Sequence, residues 1–231
     1  FTTLYVDSSI SVSGEGSTWV KAFKTLNEAL ILANSCKDIK EIKIAKGTYY
    51  PTELSDRDAT FLITRGDLRI YGGYASGGLN RNTFINPTIL SGDIGTIGTN
   101  TDNSYHVLVV SGITSDEDSL VIDGFSIVWG NANTSGSKDY NQQSIPKNSA
   151  GGLVLWNNSN GDKIKIKNCI VSANYASDAG GGIYNYKTSA TYLNCLVTGN
   201  VANYGAGFAN VSNSHVKIVN NTIASNRAGN T

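Results

Sequence analysis

The chain has no methionine, three prolines, three cysteines and two histidines in 231 residues, and only 16% of it is charged. Three cysteines (Cys36, Cys169 and Cys195) are too few for a disulfide-stapled scaffold. Disordered chains are rich in proline and charge; this one is poor in both, so a folded domain is expected. Its 18 Lys and Arg balance 18 Asp and Glu. That leaves no basic excess for nucleic acid or an anionic membrane, and no nucleic-acid partner is expected. No apolar run approaches the ~20 residues of a spanning helix, so no transmembrane segment is expected either. Residue 1 is Phe with no apolar leader behind it, which reads as a mature or excised piece.

What is abundant is small and polar. Glycine occurs 25 times and asparagine 26 times, and these two residues best tolerate left-handed backbone at turns. Together with Val, Ile, Tyr and Thr in short runs, they point to an all-β chain with many tight turns.

A repeat explains the turns. Lys167-Asn168-Cys169-Ile170-Val171-Ser172-Ala173-Asn174 is followed by Leu193-Asn194-Cys195-Leu196-Val197-Thr198-Gly199-Asn200 and then by Val219-Asn220-Asn221-Thr222-Ile223-Ala224-Ser225-Asn226, with corresponding residues 26 apart. The register extends to Ile164, Ala190 and Val216, and to Ala176, Ala202 and Ala228. A second motif, Gly180-Gly181-Gly182-Ile183-Tyr184-Asn185, returns as Gly205-Ala206-Gly207-Phe208-Ala209-Asn210. Looser copies of it are read at Gly124–Asn131 and Gly151–Asn157. Within Lys163-Ile164-Lys165-Ile166-Lys167 the apolar residues alternate, the pattern of a half-buried strand. One such unit cannot bury its apolar face alone, whereas stacked units can, so the spacing predicts a parallel β-solenoid, a β-helix. Stacking predicts two asparagine columns, Asn168, Asn194 and Asn220 at one corner and Asn174, Asn200 and Asn226 at another, as fold-holding ladders.

Residues 1–40 depart from the repeat. Thr25-Leu26-Asn27-Glu28 fits a capping box, and Phe23, Leu26, Ala29, Leu30 and Ala33 form an apolar stripe. The expectation is an amino-terminal cap with a short amphipathic helix over the open end of the solenoid, whose coils, roughly seven, occupy 41–231. The sequence stops at Arg227-Ala228-Gly229-Asn230-Thr231, where another glycine-led strand is due, and the expectation is that the native protein continues.

The run Leu4-Tyr5-Val6-Asp7, then Trp19, then Ile42-Lys43-Ile44-Ala45-Lys46-Gly47-Thr48-Tyr49 resembles the opening of right-handed parallel β-helix proteins. Ile70-Tyr71-Gly72-Gly73-Tyr74, Asn86-Pro87-Thr88-Ile89-Leu90-Ser91-Gly92-Asp93-Ile94 and Asp123-Gly124-Phe125-Ser126-Ile127 resemble one group within that fold. These are large exported surface proteins of Bacteroidetes type, similar in repeat style to polymorphic outer-membrane proteins. The resemblance implies secretion, through the type IX route in Bacteroidetes, and display on the cell surface. It does not fix an activity, because the fold hosts lyases, hydrolases and adhesins alike.

The chemistry expected of an enzyme on this fold is thin. The pectate-lyase signatures Arg-x-Pro-x-x-Arg and Trp-x-Asp-His are absent, as are an Asp-Asp pair and Gly-His-Gly. His106 and His215 lie about a hundred residues apart. No catalytic residue is assigned. Cys169 and Cys195 are expected as stacked, buried free thiols. The loop from Asp93 to Asn103 offers oxygen ligands to Ca²⁺ without any recognised spacing, so a plain turn is expected there and no cofactor. The mixed charges at Asp56, Arg57, Asp58, Arg65, Asp67 and Arg69 read as a solvated face.

The binding candidate is the break in the repeat between Asn131 and Ala150, which has to project from the scaffold. It carries Lys138, Asp139 and Tyr140, and Trp129 and Trp156 bracket it with aromatic faces suited to sugars. The expected function is a non-catalytic scaffold or adhesin contacting glycans. The alternative is a polysaccharide lyase or glycoside hydrolase acting on an acidic polysaccharide.

Overall fold

Nearly all strands pair in parallel, and the register repeats the period of the sequence. In the computed structural model, which describes residues 2–78, 80–114, 119–159 and 163–229, Ile164, Ala190 and Val216 are direct partners, as are Ile166, Tyr192 and Ile218. Phe1, Asn230 and Thr231, at the ends of the two expected segments, lie outside the described residues. The chain is an all-β protein of parallel strands in curled sheets, with a single short α-helix among the described residues.

One run of seven strands comprises Thr3–Val6, Glu41–Ala45, Leu68–Tyr74, Leu120–Asp123, Ile164–Lys167, the second half of Ile183–Leu193, and His215–Val219. A second run comprises Phe61–Ile63, Leu108–Ser111, Leu153–Asn158, the first half of Ile183–Leu193, and Phe208–Val211. The two meet in Ile183–Leu193, which turns a corner at Lys187 with φ 47°. A third sheet stacks Gly47–Tyr49, Thr88–Ser91, Phe125–Val128, Ile170–Ser172, Leu196–Thr198 and Thr222–Ala224. A fourth, of two-residue strands, stacks Asn131–Ala132, Tyr175–Ala176, Val201–Ala202 and Arg227–Ala228.

Alternation along each strand decides which side chains fill the interior. Ile164 and Ile166 are buried and Lys165 between them is exposed. Leu4, Ile42, Ile70, Ile122, Ile166 and Tyr192 belong to one apolar core shared by the three large sheets. The inward columns lose cover only at the last strands, where Ile218 and Ile223 are 43% and 48% exposed although their partners Tyr192 and Val197 are buried.

The corners use left-handed backbone at fixed places. Gly124, Asn168, Asn194 and Asn220 have φ of 87°, 50°, 56° and 52° just before successive strands of the third sheet. Gly124 thus corresponds to Asn168, and Phe125–Val128 pairs with Ile170–Ser172. The reading of Gly124–Asn131 as a copy of the glycine-led motif is corrected by this pairing; it copies the asparagine-led one, with glycine serving the same left-handed corner. The reading of Gly151–Asn157 stands, since Leu153 partners Ile183.

The two asparagine columns differ in kind. Asn174 Nδ2 donates to Asn200 Oδ1 at 3.0 Å, Asn200 Nδ2 donates to Asn226 Oδ1 at 2.9 Å, and the same oxygens accept the backbone N–H groups of Asn174 and Asn200. Asn174 Oδ1 ends the ladder on Gly130 N–H at 2.9 Å. Asn174 and Asn200 are buried, so these bonds satisfy groups that no water reaches. Glycines of the second motif make room for them: a Cβ at Gly182 meets the Asn200 amide at 2.8 Å and the Gly207 carbonyl oxygen at the same distance. Asn168, Asn194 and Asn220 are exposed, and among the described residues no side-chain bond joins one to the next. Their column is held by backbone bonds, Asn168 N–H to Leu193 O and Asn194 N–H to Val219 O. The ladder expected there is therefore a stack of left-handed turns and not of amides.

The helix Leu26–Ser35 buries Leu26, Ala29, Leu30 and Ala33, and its start carries both halves of the Thr25–Glu28 capping box. Leu26 and Leu30 join Ile63, Ile70, Leu90 and Phe125 around one end of the core. Thr3–Val6, inside the expected cap segment, is the edge strand of the seven-strand run.

Candidate functional site

The break in the repeat folds into a β-hairpin, Ser137–Tyr140 against Gln143–Pro146, the one antiparallel pair of strands among those described. Asn141 and Gln142 at its tip have φ of 52° and 60°, the mirror-image turn that suits the twist of a two-residue hairpin. The hairpin does not project. Tyr140 and Ile145 pack with Val109, Val154, Trp156 and Tyr184, the outward side chains of the second run of strands. The expectation of a projecting loop fails because alternating Tyr140 and Ile145 give the hairpin an apolar face of its own.

That packing separates the predicted binding residues. Trp156 is only 9% exposed, and its ring lies nearly parallel to Tyr186 at 4.1 Å and to Tyr184 at 5.9 Å. Tyr140 is 6% exposed, donates its hydroxyl to Asp58 O at 2.8 Å, and sits edge-on to His106. Burial pushes the Tyr140 phenol far up. Neither ring offers a face to a sugar, which corrects the expectation of an exposed sugar-stacking face at Trp156 and of a binding role for Tyr140. Lys138 and Asp139 are exposed on the hairpin strand, paired in register with Ile145 and Ser144. Trp129 lies elsewhere, at the corner after Phe125–Val128, 49% exposed. Its φ of 66° is the left-handed value found at Ala173, Gly199 and Ser225 in successive layers. For a bulky residue that backbone is strained, and Asn103 Nδ2 holds the Trp129 carbonyl at 2.7 Å.

Under the hairpin lies a polar cluster that brings together part of the expected charged face, His106 and Lys147. Lys147 pairs with Asp58 at 2.7 Å. Arg57 donates to Asn103 O, Asn131 O and Asn133 Oδ1, and its guanidinium covers the Tyr105 ring at 4.1 Å. His106 is fully buried, with Nδ1 at 2.8 Å from Ala150 O and Nε2 without a partner among the described residues. Burial brings its imidazole down to about 4, so it is neutral at physiological pH. Arg65 is 4% exposed and donates to the carbonyls of Ala33, Cys36 and Ile39, closing the end of the helix. The expected solvated face is in this part a buried brace. Only the clustering of 56–69 in sequence hinted at it.

The acidic loop binds itself. Both Asp93 carboxylate oxygens accept Gly98 N–H, at 3.0 and 2.9 Å, and Asp102 Oδ2 accepts Thr96 N–H at 2.8 Å. Among the described residues no three His, Cys, Asp or Glu side chains are placed to hold a metal ion. Cys169 and Cys195 are buried free thiols, and the neighbouring Cys195 together with burial pushes the Cys169 thiol up. Among the described residues no helix is long and apolar enough to cross a membrane. The chain matches no protein-family model, no curated protein and no solved structure.

Proposed function

We propose that the chain is a right-handed parallel β-helix of roughly seven coils, closed at one end by its helix, acting as a rigid, non-catalytic scaffold or adhesin that is secreted or displayed on a bacterial surface and contacts glycans. The observation that supports this reading is the parallel register of the seven-strand run, in which inward residues pile into columns. Such a rod resists bending and offers long, flat outer faces. Four carboxylates spend their oxygens on the fold: Asp7 holds Ser9, Ser76 and Gly77, Asp123 holds Arg81, and Asp93 and Asp102 close their own loop. Exposed Trp129 is the aromatic contact of this reading. Purified chain on a glycan array and on bacterial and host cell surfaces is expected to bind without altering the sugars. Shortened or unsaturated products from a panel of polysaccharides overturn the non-catalytic reading.

A further inference from the structure

The outward side of the seven-strand run carries a charge pattern that the neutral chain as a whole conceals. One register column reads Glu41, Arg69, Val121, Lys165, Thr191, Lys217. Its cations fall on every second strand, which at parallel strand spacing separates Arg69 from Lys165, and Lys165 from Lys217, by about 10 Å. The adjoining column reads Tyr5, Lys43, Tyr71, Asp123, Lys167, Leu193. With Arg81 beside Asp123, this face holds six cations against two carboxylates among the described residues. Those two carboxylates are occupied, Glu41 by Lys43 at 3.1 Å and Asp123 by Arg81 and Lys167. Arg69 and Lys165 are exposed and have no side-chain partner among the described residues. Positive charge is therefore left over on this outward face.

Two further features shape it. A shallow depression of about 240 Å³ lies between Lys165, Lys167, Thr191 and Leu193. It offers an apolar floor, a hydroxyl and two ammonium groups within one sugar's reach. Toward the helix end, half-buried rings gather: Tyr5 meets Trp19 at 4.9 Å, Trp19 meets Tyr74 at 5.6 Å, and Lys43 Nζ stands 5.9 Å from both tyrosine centroids. Rings beside cations are the surroundings in which a pyranose and its acidic substituent are held together.

We propose that this face binds an acidic polysaccharide carrying one carboxylate or sulfate per disaccharide, laid along the column Arg69, Lys165 and Lys217. The spacing of the column is the argument: about 10 Å between cations is the length of two linked pyranose rings. Nucleic-acid phosphates recur about every 3.4 Å along a strand, far more densely than these cations, so the pattern favours the polysaccharide. The inference rests on the scaffold reading and supplies that scaffold with a ligand class and a place to bind it.

The test measures binding of the full chain to hyaluronan, which bears one carboxylate per disaccharide, to neutral dextran and to oligothymidylate. Hyaluronan is expected to bind in a salt-sensitive manner, dextran not at all, and the variant Arg69→Gln/Lys165→Gln/Lys217→Gln to weaken binding about tenfold. All three sites are exposed, and circular dichroism is expected to show the variant folded. Unchanged binding by the triple variant, no binding to hyaluronan, or oligothymidylate held as tightly as hyaluronan overturns the proposal. Binding confined to neutral glycans and lost in Trp129→Ala overturns this face while leaving the scaffold reading intact. Depolymerised hyaluronan overturns the non-catalytic reading while leaving the face in place.

Discussion

The side-chain amide of Asn174 donates to Oδ1 of Asn200 at 3.0 Å, and the bond recurs one period on, between Asn200 and Asn226. Asn200 also donates to Val171 O at 2.9 Å, so its amide ties three layers together. Replacing it by Ala leaves a buried N–H and carbonyl without partners, each costing roughly 1–3 kcal/mol. Asn200→Ala is therefore expected to lower unfolding free energy by about 3 kcal/mol. Asn194→Ala, at the exposed corner, is expected to cost about 1 kcal/mol, the left-handed penalty alone. Urea denaturation of both variants checks the order; equal losses would count against the distinction between the columns. Gly182→Ala, which drives a Cβ into Asn200 and the Gly207 carbonyl, is expected to resemble Asn200→Ala.

The two tryptophans should part company. Trp156→Ala opens a void under the hairpin and is expected to cost about 3 kcal/mol. Trp129→Gly relieves a strained left-handed residue, and is expected to leave stability unchanged or raise it by up to about 1 kcal/mol. Thermal and urea unfolding decide the matter, and a large loss at Trp129 would mean that its ring, and not its backbone strain, governs that corner.

His106 makes stability depend on pH. Its buried imidazole titrates near about 4, below the ordinary value of 6.5, so the unfolded chain takes up a proton that the folded chain refuses. Stability is fully present above 6.5 and falls as pH drops toward about 4. By pH 5 the loss from this group is about 2 kcal/mol. His106→Phe is expected to remove that part of the slope between pH 7 and 5; an unchanged slope would show that His106 is not protected from protons.

The thiols give a kinetic check on burial. Cys36 is partly exposed, whereas Cys169 and Cys195 are enclosed in the core with the Cys169 thiol held protonated. An aromatic disulfide reagent is expected to modify Cys36 first and the other two only on unfolding. Fast reaction of all three in native buffer would contradict the core placement.

The fold was legible wherever the sequence repeats faithfully. Ile164, Ala190 and Val216 announce their own register, and the Thr25–Glu28 box announces the helix. The site was far less legible. Tyr140 and Ile145 alternate across the Asn141–Gln142 turn, a hairpin signal, but the length of the insertion suggested a projecting loop instead. A side chain's exposure depends on what lies over it, and sequence alone does not say that the hairpin covers Trp156. The cationic column escaped notice for a related reason: Arg69, Lys165 and Lys217 are distant in sequence with uneven spacing, and only register brings them into line.

The most direct measurement is a spin–spin distance between nitroxides placed at Arg69 and Lys217. These residues are separated by 148 positions in sequence but by four strand spacings in the sheet, so the distribution is expected to be narrow and centred near about 20 Å. A broad distribution, or one centred beyond about 30 Å, would mean that the strands do not stack in this order, and the columns, the ladder and the binding face would fall with them.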